Sequence, residues 1–435
     1  MASSSDTQAQ VIVWTKNLFD SEPVWPRDPD SSVISTIARR HLRIPAGSSI
    51  SVTFSTEGAF NKLYTIESPY ISNYYIFRVT LPVESFYKTA SEVATLLYLR
   101  RHTSIPIAEV VAYSATSDNE LGFEWILMEG LTGVCLRDIW PRFPGDKELE
   151  KTGGSQSAPI PWEQKEEISR TVARYLLQLR NISFTSIGSL YLRSDIKENA
   201  ITDTEDPQFI IGPLVSLNFF YGGLRSRVPR DRGPYTNEHR YAGAFIDVVL
   251  HELELAQQLD PDDPQYDDDL MDDGPEILQG IKMLQSVLDI IFSREPDKSG
   301  YTLHHHDLSL ANILVDPKSF QITGIVDWEC VGVVPRWEDT HPQFLEAPEV
   351  ELELESLEVG DVDPLRMERW ENWEKMRLRK VFDAGIQEKD RLKREFMLHL
   401  NSIHVWSRKA IKWAEEVKHL QLIKSGENYL QSTYS

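Results

Sequence analysis

YTLHHHDLSLANILVDPKSFQITGIVDWE, residues 301–329, is the stretch whose reading decides the fold. It holds His305, Asp307 and Asn312 in the pattern H-x-D-x-x-x-x-N, and a further aspartate, Asp327, in the string IVDW. Two apolar runs, Ile313–Val315 and Ile322–Val326, flank the turn sequence DPKS at 316–319. Proline and aspartate favour chain reversal, so the runs are predicted to pair as a hairpin. A hairpin that starts after Asn312 and ends before Asp327 brings those two side chains together.

An amide oxygen and a carboxylate are hard ligands suited to Mg²⁺, with waters and phosphate oxygens completing its octahedron. Asp307 precedes the hairpin, where it can accept the proton of an incoming hydroxyl. His305 reads as a residue that fixes the loop near Asp327. A loop carboxylate followed by two magnesium ligands is what phosphoryl transfer from ATP requires. Two other readings compete. One is a nucleotide-binding pseudokinase that acts as a regulator. The other is a metal phosphohydrolase using His304, His305, His306 and Asp307, since alternate residues of a strand face one way. Such hydrolases set their His-Asp pair on helices, whereas here β-type sequence follows at once.

Working upstream, residues 31–42 are predicted as a short amphipathic helix with Val33, Ile34, Ile37 and Leu42 on one side. Strands are predicted at 49–56, 63–67, 74–80, 109–113 and 123–129, and a long helix from Ser85 to His102. The third of these strands carries Arg78 and the helix carries Glu92. A cation for the nucleotide phosphates and a glutamate to orient it are the other parts an ATP lobe needs. The turn EGAFNK at 57–62 has one glycine and is a weak phosphate-cradling signal, so Lys62 receives no role. ILMEGLTG at 126–133 fits an adenine-binding hinge read by backbone groups.

Beyond Gly130 the character changes. Residues 144–161 read as a polar loop, and helices are predicted at 162–182, 237–258 and 276–293, and over most of 366–420. The resulting expectation is an α+β, two-lobed chain. It comprises an N-terminal extension (1–48), a small antiparallel-sheet lobe with one long helix (49–130), and a larger, mainly helical lobe (131–435) containing the catalytic loop 304–329.

Composition narrows the partners. The formal net charge of −22 opposes nucleic acid and anionic membranes. Eight aspartates crowd residues 260–273 and read as a solvated loop, as does the glutamate-rich run 346–363. Two cysteines, Cys135 and Cys330, are too few for a disulfide framework or a thiolate zinc site. No apolar run approaches the ~18 residues of a membrane span. Asp6, Asp20, Glu22, Asp28 and Asp30 argue against an acid-poor transit peptide, which makes a cytoplasmic protein the expectation.

Several strings together resemble the aminoglycoside phosphotransferase and choline-kinase-like family, and more narrowly its divergent fungal-type branch. They are FRVTLP at 77–82, SEVATLLYLRRHTSIPI at 91–107, WILMEGLTG at 125–133, HHDLSLANILVD at 305–316 and IVDWE at 325–329. FTSIGSLYL at 185–193, IIGPLVS at 210–216 and RGPY at 232–235 also resemble that branch. The resemblance spans about residues 50–340. It implies a protein-kinase-like fold and transfer of a phosphoryl group from ATP, with Mg²⁺, to a hydroxyl of a small molecule. By the same resemblance Asp307 is the catalytic base and Asn312 and Asp327 are the magnesium ligands. Arg78 and Glu92 are then the phosphate-positioning pair, and the backbone of Glu129 and Leu131 holds adenine. The chain departs from the family at His306, where glycine is usual, and at Arg78, where lysine is usual. IVDWE in place of D-F-G disfavours a protein kinase.

Overall fold

The structure is a computed structural model that describes residues 12–16, 21–140, 160–196, 200–201, 204–263, 265–338, 341–346, 364–383 and 391–433. The polar loop predicted at 144–161 and the glutamate-rich run at 346–363 therefore lie almost wholly outside the described residues.

At the N-terminus β1 (Trp14–Lys16) and β2 (Ser21–Pro23) form an antiparallel ribbon. Helix α1 (Ser31–His41) follows, and the Asp30 carboxylate caps it by accepting from the Ser32 backbone N–H at 2.8 Å. Ile34, Ile37 and Ala38 on α1 and Trp14 on β1 are buried in the same core as the sheet behind them. The segment expected as an extension is thus packed into the N-terminal lobe.

That sheet consists of β3 (Ser51–Glu57), β4 (Asn61–Glu67), β5 (Tyr75–Thr80), β6 (Val110–Ser114) and β7 (Glu124–Glu129), in the order β3-β4-β5-β7-β6 and antiparallel throughout. Period-two alternation on β4 buries Lys62, Tyr64 and Ile66 while their neighbours are half-exposed. Helix α2 (Tyr87–His102) connects β5 to β6 and is buried from Lys88 through Leu96. Such a helix lies between layers, and α2 packs against β6 and β7 on one side and the larger lobe on the other.

The larger lobe begins with β8 (Val134–Cys135), α3 (Leu136–Ile139) and α4 (Trp162–Asn181). A hairpin of β9 (Ser189–Leu192) and β10 (Phe209–Gly212) follows, then α5 (Leu224–Arg227), α6 (Glu238–Ala256) and α7 (Asp268–Ile291). Four strands surround the catalytic segment: β11 (Tyr301–His304), β12 (Ile313–Val315), β13 (Ile322–Ile325) and β14 (Gly332–Pro335). The chain ends in α8 (Pro364–Asp383), α9 (Arg391–Asn401) and α10 (Ile403–Thr433). Gly280 lets α7 and α10 approach, because a Cβ there would meet Ile403 Cδ1 at 2.8 Å.

The expected α+β, two-lobed fold is therefore present: an antiparallel sheet with one long helix, then a mainly helical lobe. One helix start differs by more than two residues. The aspartates at 268–273 lie inside α7, which starts eight residues before the predicted 276. Asp267 caps it, accepting from the Asp269 and Leu270 N–H groups, and Asp268 and Asp269 suit the positive end of its dipole.

Candidate active site

The hairpin of β12 and β13 pairs Ile313 with Ile325, and the Val326 N–H donates to the Asn312 carbonyl at 3.0 Å. This closes the backbone between the two residues expected to hold magnesium. The Asn312 side-chain amide donates to the Asp307 carbonyl oxygen at 2.7 Å and to its carboxylate at 3.0 Å. Its N–H₂ group is thereby fixed on the catalytic loop, and its oxygen is turned the other way. Asp327 sits at φ +63°, in the left-handed region that aspartate tolerates better than most residues. His305 is buried, stacks edge-on against Trp328 at 4.6 Å, and reaches the Val326 carbonyl with Nε2 at 3.2 Å. Burial, and then His306, push the His305 pKa down to about 3, so the ring is neutral. Only a protonated Nε2 can pair with a carbonyl, so His305 donates there and clamps the residue before Asp327.

The second half of the site is an ion cluster between the lobes. On β5, Arg78 is buried and bonds Glu92 of α2 through Nη1 and Glu329 through Nη2. Glu329 also accepts from Lys88, one turn before Glu92 on α2, and from Asn61 Nδ2 at 2.8 Å. Burial raises Glu92, against the pull of Arg78 and then Lys88, to about 7. Burial also pushes Glu329 up, but Lys88 and then Arg78 outweigh it and hold this carboxylate at about 2. Asp327 is pushed up to about 6, by burial first and then by the Glu329 charge, with Asp307 adding to it.

These residues suit the groups expected of them. Asn312 and Asp327 supply two hard oxygens, and the repulsion that Glu329 and Asp307 exert on Asp327 is what a divalent cation relieves. Arg78 Nε is buried with no partner, a free donor for an anion. By contrast, among the described residues no three of His, Cys, Asp and Glu are gathered to hold a metal. The hydrolase reading needs His304–His306 and Asp307 to converge, and His305 instead faces the Val326 carbonyl.

The strand-to-lobe crossover runs through Glu129, Gly130 and Leu131. The Glu129 N–H donates to the Glu109 carbonyl at 2.8 Å, and the Leu131 carbonyl accepts from the Tyr74 hydroxyl. A Cβ on Gly130 would lie 2.2 Å from the Tyr74 ring. Gly130→Ala is accordingly expected to displace Tyr74 and cost about 1–3 kcal/mol, the range for overpacking. Urea denaturation measures this, and an unchanged midpoint would show that the crossover adapts freely.

Sequence reasoning did not single out Glu329, Lys88 or Asn61. The signals were present: Lys88 and Glu92 are four apart on one helix face, and Glu329 ends the quoted IVDWE string. Lys62 is tied to Asp28 at 2.6 Å and to Glu57 at 3.5 Å. Cys330 is buried in the N-terminal lobe's core, as a small filler would be. A cavity of about 520 Å³ lies elsewhere, between Trp14, Tyr221, Glu252 and the start of α7. None of the site residues lines it.

Residues 222–340 match the model of the phosphotransferase enzyme family. That span holds Asp307, Asn312 and Asp327, so the family resemblance expected from the sequence is shown there, and a phosphotransferase is the class it supports. A "Subtelomeric hrmA-associated cluster protein" of Aspergillus fumigatus is 28% identical over 349 residues, covering 70% of this chain and 64% of the relative. The "Altered inheritance of mitochondria protein 9, mitochondrial" of Candida glabrata is 23% identical over 388 residues, covering 78% of this chain and 59% of the relative. The chain thus spans about three-fifths of the length of these curated relatives. Among solved structures, the aminoglycoside phosphotransferase APH(4)-Ia has a TM-score of 0.44 at 15% identity, with 89% of this chain and 97% of that one covered. The choline kinase of Cryptosporidium parvum has a TM-score of 0.40 at 14% identity, with 91% and 97% covered.

The cytoplasmic expectation is corrected by these relatives. Those from Candida glabrata, Komagataella phaffii and Debaryomyces hansenii are all named as mitochondrial proteins. Asp6, Asp20, Glu22, Asp28 and Asp30 do not decide the compartment. Among the described residues, no helix is long and apolar enough to cross a membrane.

Proposed function

We propose that this chain transfers the γ-phosphoryl group of ATP, with Mg²⁺, to a hydroxyl of a small molecule. The observation that carries the reading is the hairpin, which sets Asn312 beside the Val326–Asp327 turn while tying its amide to Asp307. Asn312 and Asp327 hold the metal, and Arg78, oriented by Glu92, grips the phosphates. The adenine edge meets the Glu129 carbonyl and the Leu131 N–H, two crossover groups that take no part in the contacts made to Glu109 and Tyr74. A bound magnesium ion neutralises charge on the phosphate oxygens. Asp307 orients the acceptor hydroxyl and takes its proton on a carboxylate oxygen. The net charge supports a small molecule rather than nucleic acid or an anionic membrane as the partner. The relatives' names support a mitochondrial location, which imaging of the tagged full-length protein tests.

MgATP is expected to stabilise the protein through ligand linkage, by about 2.7 kcal/mol at a hundredfold excess over Kd. Asp327→Ala is expected to lose most of that thermal shift. Equal stabilisation of both proteins would remove Asp327 from the metal site. ATP turnover in an acceptor screen separates the enzyme from a pseudokinase, which binds nucleotide without transfer.

A further inference from the structure

We infer that Glu329 is a positioning residue of this site, the carboxylate that occupies Arg78 and Lys88 so that Asp327 stays available to the metal. The inference rests on the phosphotransferase reading. A single oxygen, Glu329 Oε2, accepts from Arg78 Nη2, Lys88 Nζ and Asn61 Nδ2. These donors come from three separate segments: β5, α2 and the start of β4, at the end of the 57–62 turn. Glu329 lies two residues beyond Asp327, so the same short turn carries the proposed metal ligand and the knot that ties the lobes.

Charge explains why the knot matters. Arg78 and Lys88 are two cations almost fully enclosed, and Glu92 and Glu329 are two enclosed carboxylates, which balances the cluster. Asp327 is within electrostatic reach of both cations. Without the Glu329 charge, one positive charge remains unmatched, and Asp327 is the adjoining carboxylate able to satisfy it. Asp327 would then be drawn from the metal toward Arg78 and Lys88. Removing Lys88 does the reverse, leaving an unmatched negative charge that attracts a divalent cation. A knot acting only as packing lacks this opposition of signs, and damage from either side would loosen the site alike.

The experiment measures ATP binding by thermal shift and calorimetry, across a magnesium titration, with the full chain. Glu329→Gln keeps the shape and is expected to raise the magnesium midpoint about tenfold or more, the scale of one unmatched charge at close range in a partly buried site. ATP binding should recover at saturating magnesium. Lys88→Met is expected to lower the midpoint. A wild-type midpoint in Glu329→Gln, or one that is unchanged or raised in Lys88→Met, overturns the inference. Should Glu329→Gln fail to fold, the sign in Lys88→Met decides. Wild-type protein that MgATP does not stabilise at any magnesium concentration defeats the phosphotransferase reading itself, and this inference with it.

Discussion

Asp307→Asn is expected to bind MgATP as the wild type does and to lose phosphoryl transfer by about 10²-fold or more, the scale of general-base contributions. Asp307 is the carboxylate of the H-x-D-x-x-x-x-N loop and accepts the Asn312 amide at 3.0 Å. Asparagine in its place preserves size and an oxygen able to accept that bond, so the loop should keep its shape. What disappears is the basic oxygen that takes the proton of the acceptor hydroxyl. The measurement is acceptor-dependent ADP release with magnesium, beside nucleotide affinity from the thermal shift. A pseudokinase predicts no transfer in either protein, and a histidine-metal hydrolase predicts activity that needs no ATP. Acceptor-dependent release that survives unchanged in Asp307→Asn would defeat the mechanism.

The half of the site legible in the sequence is the half built from local contacts. Asp307 and Asn312 lie just before one short hairpin and Asp327 just after it, and two apolar runs with a DPKS turn suffice to place them. Arg78 and Glu92 were legible for a related reason: a strand followed by a helix puts one residue of each at the shared interface, and they pair. Glu329 was not legible as their partner. Its bonds to Lys88 and Arg78 join residues 241 and 251 positions apart, and no periodicity reports a contact of that range. The start of α7 was missed because an aspartate run reads as a solvated loop. The same residues suit a helix start when one of them, Asp267, caps it. Likewise, α1 was visible as a helix, but its burial against the sheet depends on Ile34 and Ile37 meeting strands some way downstream.

Arg78→Ala is expected to have the largest effect on stability. The substitution removes the cation shared by two buried carboxylates and leaves Lys88 to serve both. Breaking a buried pair from one side typically costs about 3–5 kcal/mol, because the uncompensated charge stays buried. The loss should also depend on pH. In the wild type, burial already holds Glu92 up at about 7, above its value in the unfolded chain. Without Arg78, burial pushes it further in that direction and Glu329 loses one of the two cations that hold it down. A carboxyl whose folded pKa exceeds its unfolded one binds protons preferentially in the folded state between those two values. Its stabilising effect is therefore fully present below the unfolded pKa and is lost as pH rises through the folded one. The penalty of Arg78→Ala should thus be smaller near pH 5 than near pH 8, where both carboxylates must be ionised in a buried site. Urea denaturation of the two proteins across that range measures it. A penalty that is small and the same at both ends would mean that water reaches the cluster when the guanidinium is gone, and that Arg78 is not the charge on which the interface between the lobes depends.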